Sequence, residues 1–272
     1  MRLGEMITMA AQDPARLFAV AADAYDRLMG RYLPTLGLAF ADAAEVGAGL
    51  AQQALDVGCG PGGLTSELVR RLGADQVAAI DPSPPFVAAC RERHPGVDVR
   101  QGVAEDLPWP DASFDIALGS LISGFLRDPA RAAAELRRVT RPGGRVGLCF
   151  WEIERMPLIT SYWQAVFSVD PTARGEAELF GRRAGQLSGL LTAAGLEAVS
   201  ECSLLATARY ADMDDWWSSF TGEAGPVGAQ YARMDDDQRT RVRARGHELL
   251  GSPPGSFELE AYAWCAVGRV PA

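Results

Sequence analysis

Between Ala54 and Leu64 the chain reads A-L-D-V-G-C-G-P-G-G-L, an apolar run carrying one acid and then four glycines within six positions. Such a stretch predicts a strand, a tight loop that brings backbone close to a ligand, and a helix that opens on it. The residue types limit the ligand. Gly58, Gly60 and Gly63 satisfy the G-x-G-x-x-G spacing of dinucleotide sites, so spacing alone leaves two ligands open. Asp56 places a carboxylate at the strand end beneath the loop, and Pro61 removes a backbone N–H where a pyrophosphate needs a donor. A ligand with a positive charge fits this loop better than a polyanion. A second acid, Asp81, ends the apolar stretch Gln76-Val77-Ala78-Ala79-Ile80 and is followed by Pro82. In a doubly wound sheet it sits beside the first loop and can accept from both ribose hydroxyls, so it supports an adenosine ligand of either kind.

These residues need a scaffold of alternating strands and helices, and the hydrophobic pattern supplies one. Strand signals lie at 54–57, 76–81, 97–101, 114–119 and 145–151. Helix signals cover Leu64 to Leu72, Pro84 to Arg93, and Pro129 to Thr140 with Asp128 as N-cap. The turn Arg141-Pro142-Gly143-Gly144 is expected to end the last helix and start the fifth strand. Two longer β-type stretches, 197–207 and 257–269, enclose a polar, helix-rich segment.

The 272 residues, 48% apolar and 22% charged, suit one globular α/β domain. A net charge of −9 argues against a nucleic-acid partner, since phosphate binding calls for a basic face. All 26 basic residues are arginine, which excludes a Walker A lysine and a lysine Schiff base. The five cysteines are dispersed, without a C-x-x-C pair or a Cys/His cluster, so neither a disulfide framework nor a metal site is expected. The N-terminus lacks the pattern of a secretory signal and no apolar run is long enough for a membrane span, so a cytoplasmic protein without a membrane partner is expected.

An ordered series of motifs extends along the chain. Val103 to Leu118, V-A-E-D-L-P-W-P-D-A-S-F-D-I-A-L, the R-P-G-G-R turn at 141–145 and Y-D-R-L-M-G-R-Y at 25–32 follow the same order as D-V-G-C-G-P-G-G in a known group. The series resembles the class I S-adenosylmethionine (SAM) dependent methyltransferases, in particular the small-molecule and quinone-methylating group. The resemblance implies a Rossmann-like, doubly wound α/β sheet of seven strands, six parallel and the last antiparallel. It implies a single domain with an N-terminal helical cover at 14–48 and acceptor-side elaborations at 152–195 and 212–255, the second acting as a lid. It gives Gly58 and Gly60 to the methionine half of SAM and Asp81 to the ribose, and counts Asp56 and Pro82 among the cofactor-binding residues. Val103, Ala104 and Glu105 fall to adenine, with Leu107 as an apolar wall. Many relatives carry Asp at position 103, so here backbone groups of Val103 and Ala104, or the Glu105 carboxylate, must take over the amine contact. Ser120 and Leu121 are expected where a backbone carbonyl accepts from the SAM ammonium.

Tyr25 and Arg31 have two readings. Either the N-terminal helix packs Phe18, Leu28 and Met29 on the sheet and Arg31 is solvated, or Tyr25 covers the site and Arg31 meets the SAM carboxylate. The resemblance favours the second. No catalytic base is nominated: His94 is expected at a helix end far from the ligand, His247 on a solvated helix, and Gly124-Phe125 stand where relatives often have two histidines. Acceptor recognition is expected from Trp151, Tyr162, Trp163, Trp216 and Trp217, which together would shape an apolar site for a small, aromatic or apolar molecule. Two alternatives remain open: SAM-fold chemistry other than methyl transfer, as in a cyclase or binding protein, and an NAD(P) oxidoreductase. A homodimer is also left open.

Overall fold

The computed structural model describes residues 22–47, 52–176, 179–222 and 224–272. Phe18 and positions 14–21 and 48 of the expected N-terminal cover lie outside the described residues. Seven strands form one sheet in the order β3-β2-β1-β4-β5-β7-β6. They are β1 Ala54–Val57, β2 Val77–Asp81, β3 Asp98–Gln101, β4 Phe114–Ser120, β5 Thr140–Trp151, β6 Glu197–Tyr210 and β7 Phe257–Arg269. Pairings among β1 to β5 are all parallel, while β7 runs antiparallel to both β5 and β6. The sheet therefore has six strands in one direction and the last strand opposed, as expected.

Burial explains why the central strands read as continuous apolar runs. All four residues of β1 and all five of β2 are buried, because helices cover both faces. Phe150 and Trp151, adjacent on β5, enter different apolar clusters on opposite faces. The helix Gly63–Leu72 buries Leu64, Thr65 and Leu68 and carries Arg70 and Arg71 in its last turn, where cations complement the dipole. Asp128 caps Pro129–Val139 by accepting from Arg131 N at 3.0 Å.

One boundary departs from expectation. β5 begins at Thr140, before the glycine turn. Phe114 pairs with Thr140 and Ile116 with Arg145, so residues 141–144 bulge against a single residue of β4. Gly143, at φ +75°, supplies the left-handed conformation that the bulge requires.

The strand order reverses between β1 and β4, which places a crevice at their carboxyl ends. Two elaborations cover it. The N-terminal segment forms a short helix Ala22–Tyr25, a π-helical turn Asp26–Gly30 and a helix Leu33–Ala43 whose Leu36 and Phe40 are fully buried. Between β6 and β7 come the helices Met213–Ser218, Gly225–Arg233 and Asp236–Leu249. Trp216 seats on Gly246, where a Cβ would stand 2.4 Å from the indole, so only glycine permits the approach.

Candidate functional site

A cavity of about 440 Å3 lies at the point where the strand order reverses. Its floor is the loop after β1. Gly58 and Gly60 hold φ of +70° and +54°, and a Cβ on Gly58 would meet Ile122 Cγ2 at 2.2 Å. The loop spends its donors internally. Gly58 N and Cys59 N both donate to Ile80 O, Gly62 N donates to Cys59 O, and Gly60 N donates to Asp81 Oδ2 at 2.9 Å. With Pro61 lacking an N–H, these amides form no cradle for a pyrophosphate.

Asp81 lines the cavity at the end of β2. Its Oδ1 accepts from Ser83 N at 2.8 Å and its Oδ2 from Gly60 N, which leaves each oxygen capacity for one more donor. Burial pushes its carboxyl up to about 6, against the opposing effect of the two backbone bonds. Asp81 is therefore aimed as an acceptor pair at whatever occupies this end. Pro82, Val103, Ala104 and Glu105 line the same end. The Glu105 carboxylate is engaged elsewhere, accepting from Arg127 N at 2.9 Å and Asp128 N at 3.3 Å. Backbone groups of Val103 and Ala104 remain for a planar base.

Asp56 is corrected. It is fully buried, it does not line the cavity, and its Oδ2 accepts from Thr65 Oγ1 at 2.6 Å. Oδ1 has no partner, and burial pushes the carboxyl up to about 7. The alternation of β1 turns this side chain off the sheet toward Thr65 of the following helix, so it supports the floor from beneath.

On the opposite wall, Ser120 ends β4 and Leu121 follows it, and Leu121 holds φ +62° while its N–H donates to Cys149 O. A branched residue in the left-handed region is strained, and here the strain lies on the cavity wall. Tyr25 covers the floor with its ring 5.3 Å from that of Phe86. Burial, reinforced by Asp81, raises the Tyr25 phenol, which stays protonated.

Arg31, expected at the SAM carboxylate, has partners within the protein. It does not line the cavity. Its guanidinium donates to Asp215 at 2.8 and 2.5 Å and to Arg209 O at 3.1 Å, and it lies 4.9 Å from the centre of the Tyr210 ring. The cause is the insertion after β6, which presents Asp215 one turn beyond the strand end.

At the acceptor end Trp151 lines the cavity, whereas Tyr162, Trp163, Trp216 and Trp217 do not. Trp216 is fully buried in the lid core beside Phe220, and Trp217 packs on Tyr231. Tyr162 stacks on Phe220 at 4.3 Å and donates to Val227 O at 2.9 Å. The helical spacing of these aromatics reports core packing. The apolar end is formed instead by Phe125, Phe150, Ile153, Ile159, Pro226 and Val227. Three polar lining residues were not anticipated: Gln101, which the β2–β3 register sets beside Asp81, Arg127 and Glu176. The register carries no signal in a single strand, and Glu176 sits in a stretch without periodicity.

His94 lies nearer than expected. It packs behind the glycine loop, 3.1 Å from Gly62 O and 3.2 Å from Ser66 Oγ, and does not line the cavity.

Comparison with known proteins agrees with this geometry. Residues 55–148 match the family described as a methyltransferase domain. The chain is 38% identical over 142 residues to an uncharacterized methyltransferase of Mycobacterium tuberculosis, covering 52% of this chain and 55% of the relative. It is 40% identical over 95 residues to a phthiotriol/phenolphthiotriol dimycocerosates methyltransferase of the same organism, covering 34% of this chain and 35% of that one. The matches thus span from about a third to about half the length of these curated relatives. Among solved structures, a phosphoethanolamine N-methyltransferase from Haemonchus contortus in complex with S-adenosylhomocysteine shares the fold. It has a TM-score of 0.55 at 16% identity, over 92% of this chain and 57% of that one.

Proposed function

For a chain that carries the class I SAM-dependent methyltransferase fold and a matching methyltransferase domain, we propose that it transfers a methyl group from SAM to a small, largely apolar acceptor. The observation that carries this reading is one continuous cavity, with Gly58, Gly60 and Asp81 at one end and Phe150, Trp151 and Ile159 at the other. The residues fit the cofactor. Asp81 offers two acceptor positions to a pair of vicinal hydroxyls, Val103 and Ala104 line the cavity beside it, and the amides of Gly58, Cys59, Gly60 and Gly62 are bonded within the protein rather than held for a polyphosphate.

SAM supplies an activated methyl on a sulfonium, displaced in line by the acceptor's nucleophile. The chain's own part is placement and exclusion of water. Asp81 and the Gly58–Gly60 backbone fix the nucleoside. Tyr25 and Leu28 from the N-terminal segment, and Pro226 and Val227 from the lid, roof the cavity. The apolar end holds the acceptor by burial, at about 25 cal/mol for each Å2 of apolar surface removed from water. The mycobacterial relative named for phthiotriol dimycocerosates points the same way, toward a lipid-like acceptor.

Calorimetric titration of the protein with S-adenosylhomocysteine and, separately, NADH tests the cofactor. Micromolar binding of the first and none of the second is expected; the reverse would return the site to a dinucleotide. Incubation with SAM and an acceptor panel, reading S-adenosylhomocysteine release, then tests transfer.

A further inference from the structure

The cavity's apolar end contains one carboxylate that the reading above does not use. Glu176 is nine-tenths buried and lines the wall with Phe150, Ile159 and Val227. Its Oε1 accepts from Trp163 Nε1 at 3.2 Å. Its Oε2 accepts no hydrogen bond from the described residues, and the residue lines the cavity. Among the charged and titratable groups around it, Arg182 acts to lower its carboxyl but is outweighed by burial and also pairs with Glu154, and the Tyr162 hydroxyl donates to Val227 O. A carboxylate with one neutral donor in an apolar wall is costly, and glutamine would fill the same space and keep the indole bond without the charge. Burial pushes this carboxyl up to about 7, so it is poised to exchange a proton near neutrality.

We propose, resting on the methyl-transfer reading, that Glu176 is the proton acceptor of the reaction and that the methyl acceptor is an apolar molecule bearing an alcohol or phenol directed at Oε2. The balance is complete. The acceptor oxygen forms the new C–O bond, and the methyl carbon's bond to sulfur breaks with its electron pair staying on sulfur. The O–H electrons stay on oxygen and the proton passes to Glu176 Oε2. The products are a methyl ether, a thioether and a neutral carboxyl, which ionises again once the site opens to water. Trp163 is a positioning residue in this scheme: it does not touch the cavity, but its N–H fixes the rotamer of the carboxylate.

The test uses the full chain and three variants, Glu176→Gln, Glu176→Ala and Trp163→Phe. The probes are SAM with a matched panel of 2-naphthol, 1-decanol and their amine counterparts. Methyl transfer to the hydroxyl probes is expected, with kcat falling about 100-fold or more in Glu176→Gln while KM moves less than about threefold. The wild-type rate should rise with pH to a plateau above about 7, and that inflection should vanish in Glu176→Gln and move upward in Trp163→Phe, which removes a donor to the ionised form. Independently of turnover, the infrared difference between wild type and Glu176→Gln should show a protonated-carboxyl band that disappears near the same pH, while the bands of Asp56 and Asp81 are common to both proteins and cancel. Methylation of the amines alone, a kcat in Glu176→Gln within about threefold of wild type, or an unaltered pH profile overturns the proposal. If wild type fails to bind S-adenosylhomocysteine, the methyl-transfer reading fails with it. If it binds equally in wild type and variants while kcat is unchanged, only the assignment of Glu176 fails.

Discussion

Arg31 and Asp215 lie 184 positions apart and meet through two parallel hydrogen bonds, Nη1 to Oδ2 at 2.8 Å and Nη2 to Oδ1 at 2.5 Å. They tie the N-terminal segment, which supplies Tyr25 and Leu28 to the cavity, to the insertion, which supplies Pro226 and Val227. The pair is about one quarter exposed, so its worth is limited by solvent screening to about 1 kcal/mol. Arg31→Ala is expected to lower stability by about that amount and to change S-adenosylhomocysteine affinity less than about threefold. A loss of affinity above about tenfold in calorimetry would return Arg31 to the cofactor.

The two glycines of the floor separate steric from conformational effects. A Cβ at Gly58 strikes Ile122 Cγ2 at 2.2 Å, whereas at Gly60 the nearest atoms, on Phe86 and Tyr25, stand 4.0 Å away. Gly58→Ala is therefore expected to destabilise the fold by about 1–3 kcal/mol through overpacking as well as to weaken cofactor binding. Gly60→Val should lose binding, because its side chain enters the cavity, and should cost stability through the strain of a φ of +54° alone, without overpacking. Equal melting losses in both variants would remove the distinction.

Much of this arrangement was legible in the sequence, for local reasons. The Asp56–Gly63 loop, Asp81 and the Asp128 cap are each specified within a few residues, and their placement followed. Side chains whose partner lies far along the chain were not legible. Arg31 reads equally well as a ligand for a carboxylate until Asp215 is brought beside it, and Trp216 reads as a lid face until Gly246 opens a slot for it. For Asp56, strand alternation fixes the face it takes, but not that Thr65 waits there.

Asp81 links pH to cofactor affinity. Its carboxyl titrates near 6, and only the ionised form presents acceptors on both oxygens. S-adenosylhomocysteine affinity is expected to fall as the pH is lowered through about 6. Asp81→Ala should cost about 2–4 kcal/mol of binding, from two charge-assisted bonds at about 1.5–3 kcal/mol each with incomplete additivity. Deoxygenating the ribose should matter little in that variant. Binding within about twofold of wild type, or a flat pH dependence, would contradict the assignment.

The buried acids also set a stability trend. Asp56, Asp81 and Glu176 are all raised by burial, to about 7, 6 and 7, above their unfolded values near 4. Between about pH 4 and pH 7 the native state thus binds more protons than the unfolded one, and stability falls as pH rises through that window. Glu67, Glu135 and Asp215 are lowered by their arginine partners, and act oppositely only at more acidic pH. The ligand-free protein should accordingly melt at higher temperature near pH 5 than near pH 8, and the Asp56→Asn variant should show a shallower slope. A melting temperature that climbs steadily to pH 8 in scanning calorimetry would contradict the buried, partner-poor state of these carboxyls.

In the insertion between β6 and β7 the 225–227 turn borders the cavity, while Trp216 serves the core and Trp217 packs on Tyr231. Gly225, Pro226 and Val227 line the cavity, while Trp216 is fully buried against Phe220 and Gly246. Trp216→Ala empties a large core site and should cost about 3–5 kcal/mol, with acceptor and cofactor affinities unchanged once the unfolded fraction is removed. Val227→Ala, at the cavity wall, should cost less stability and shift relative kcat/KM toward bulkier acceptors, by about 1 kcal/mol or roughly fivefold between ligands that differ by one or two methylenes. S-adenosylhomocysteine affinity should stay near wild type in both. If Trp216→Ala changed acceptor ranking while Val227→Ala left it intact, the tryptophan face would be the acceptor wall and the turn only its support.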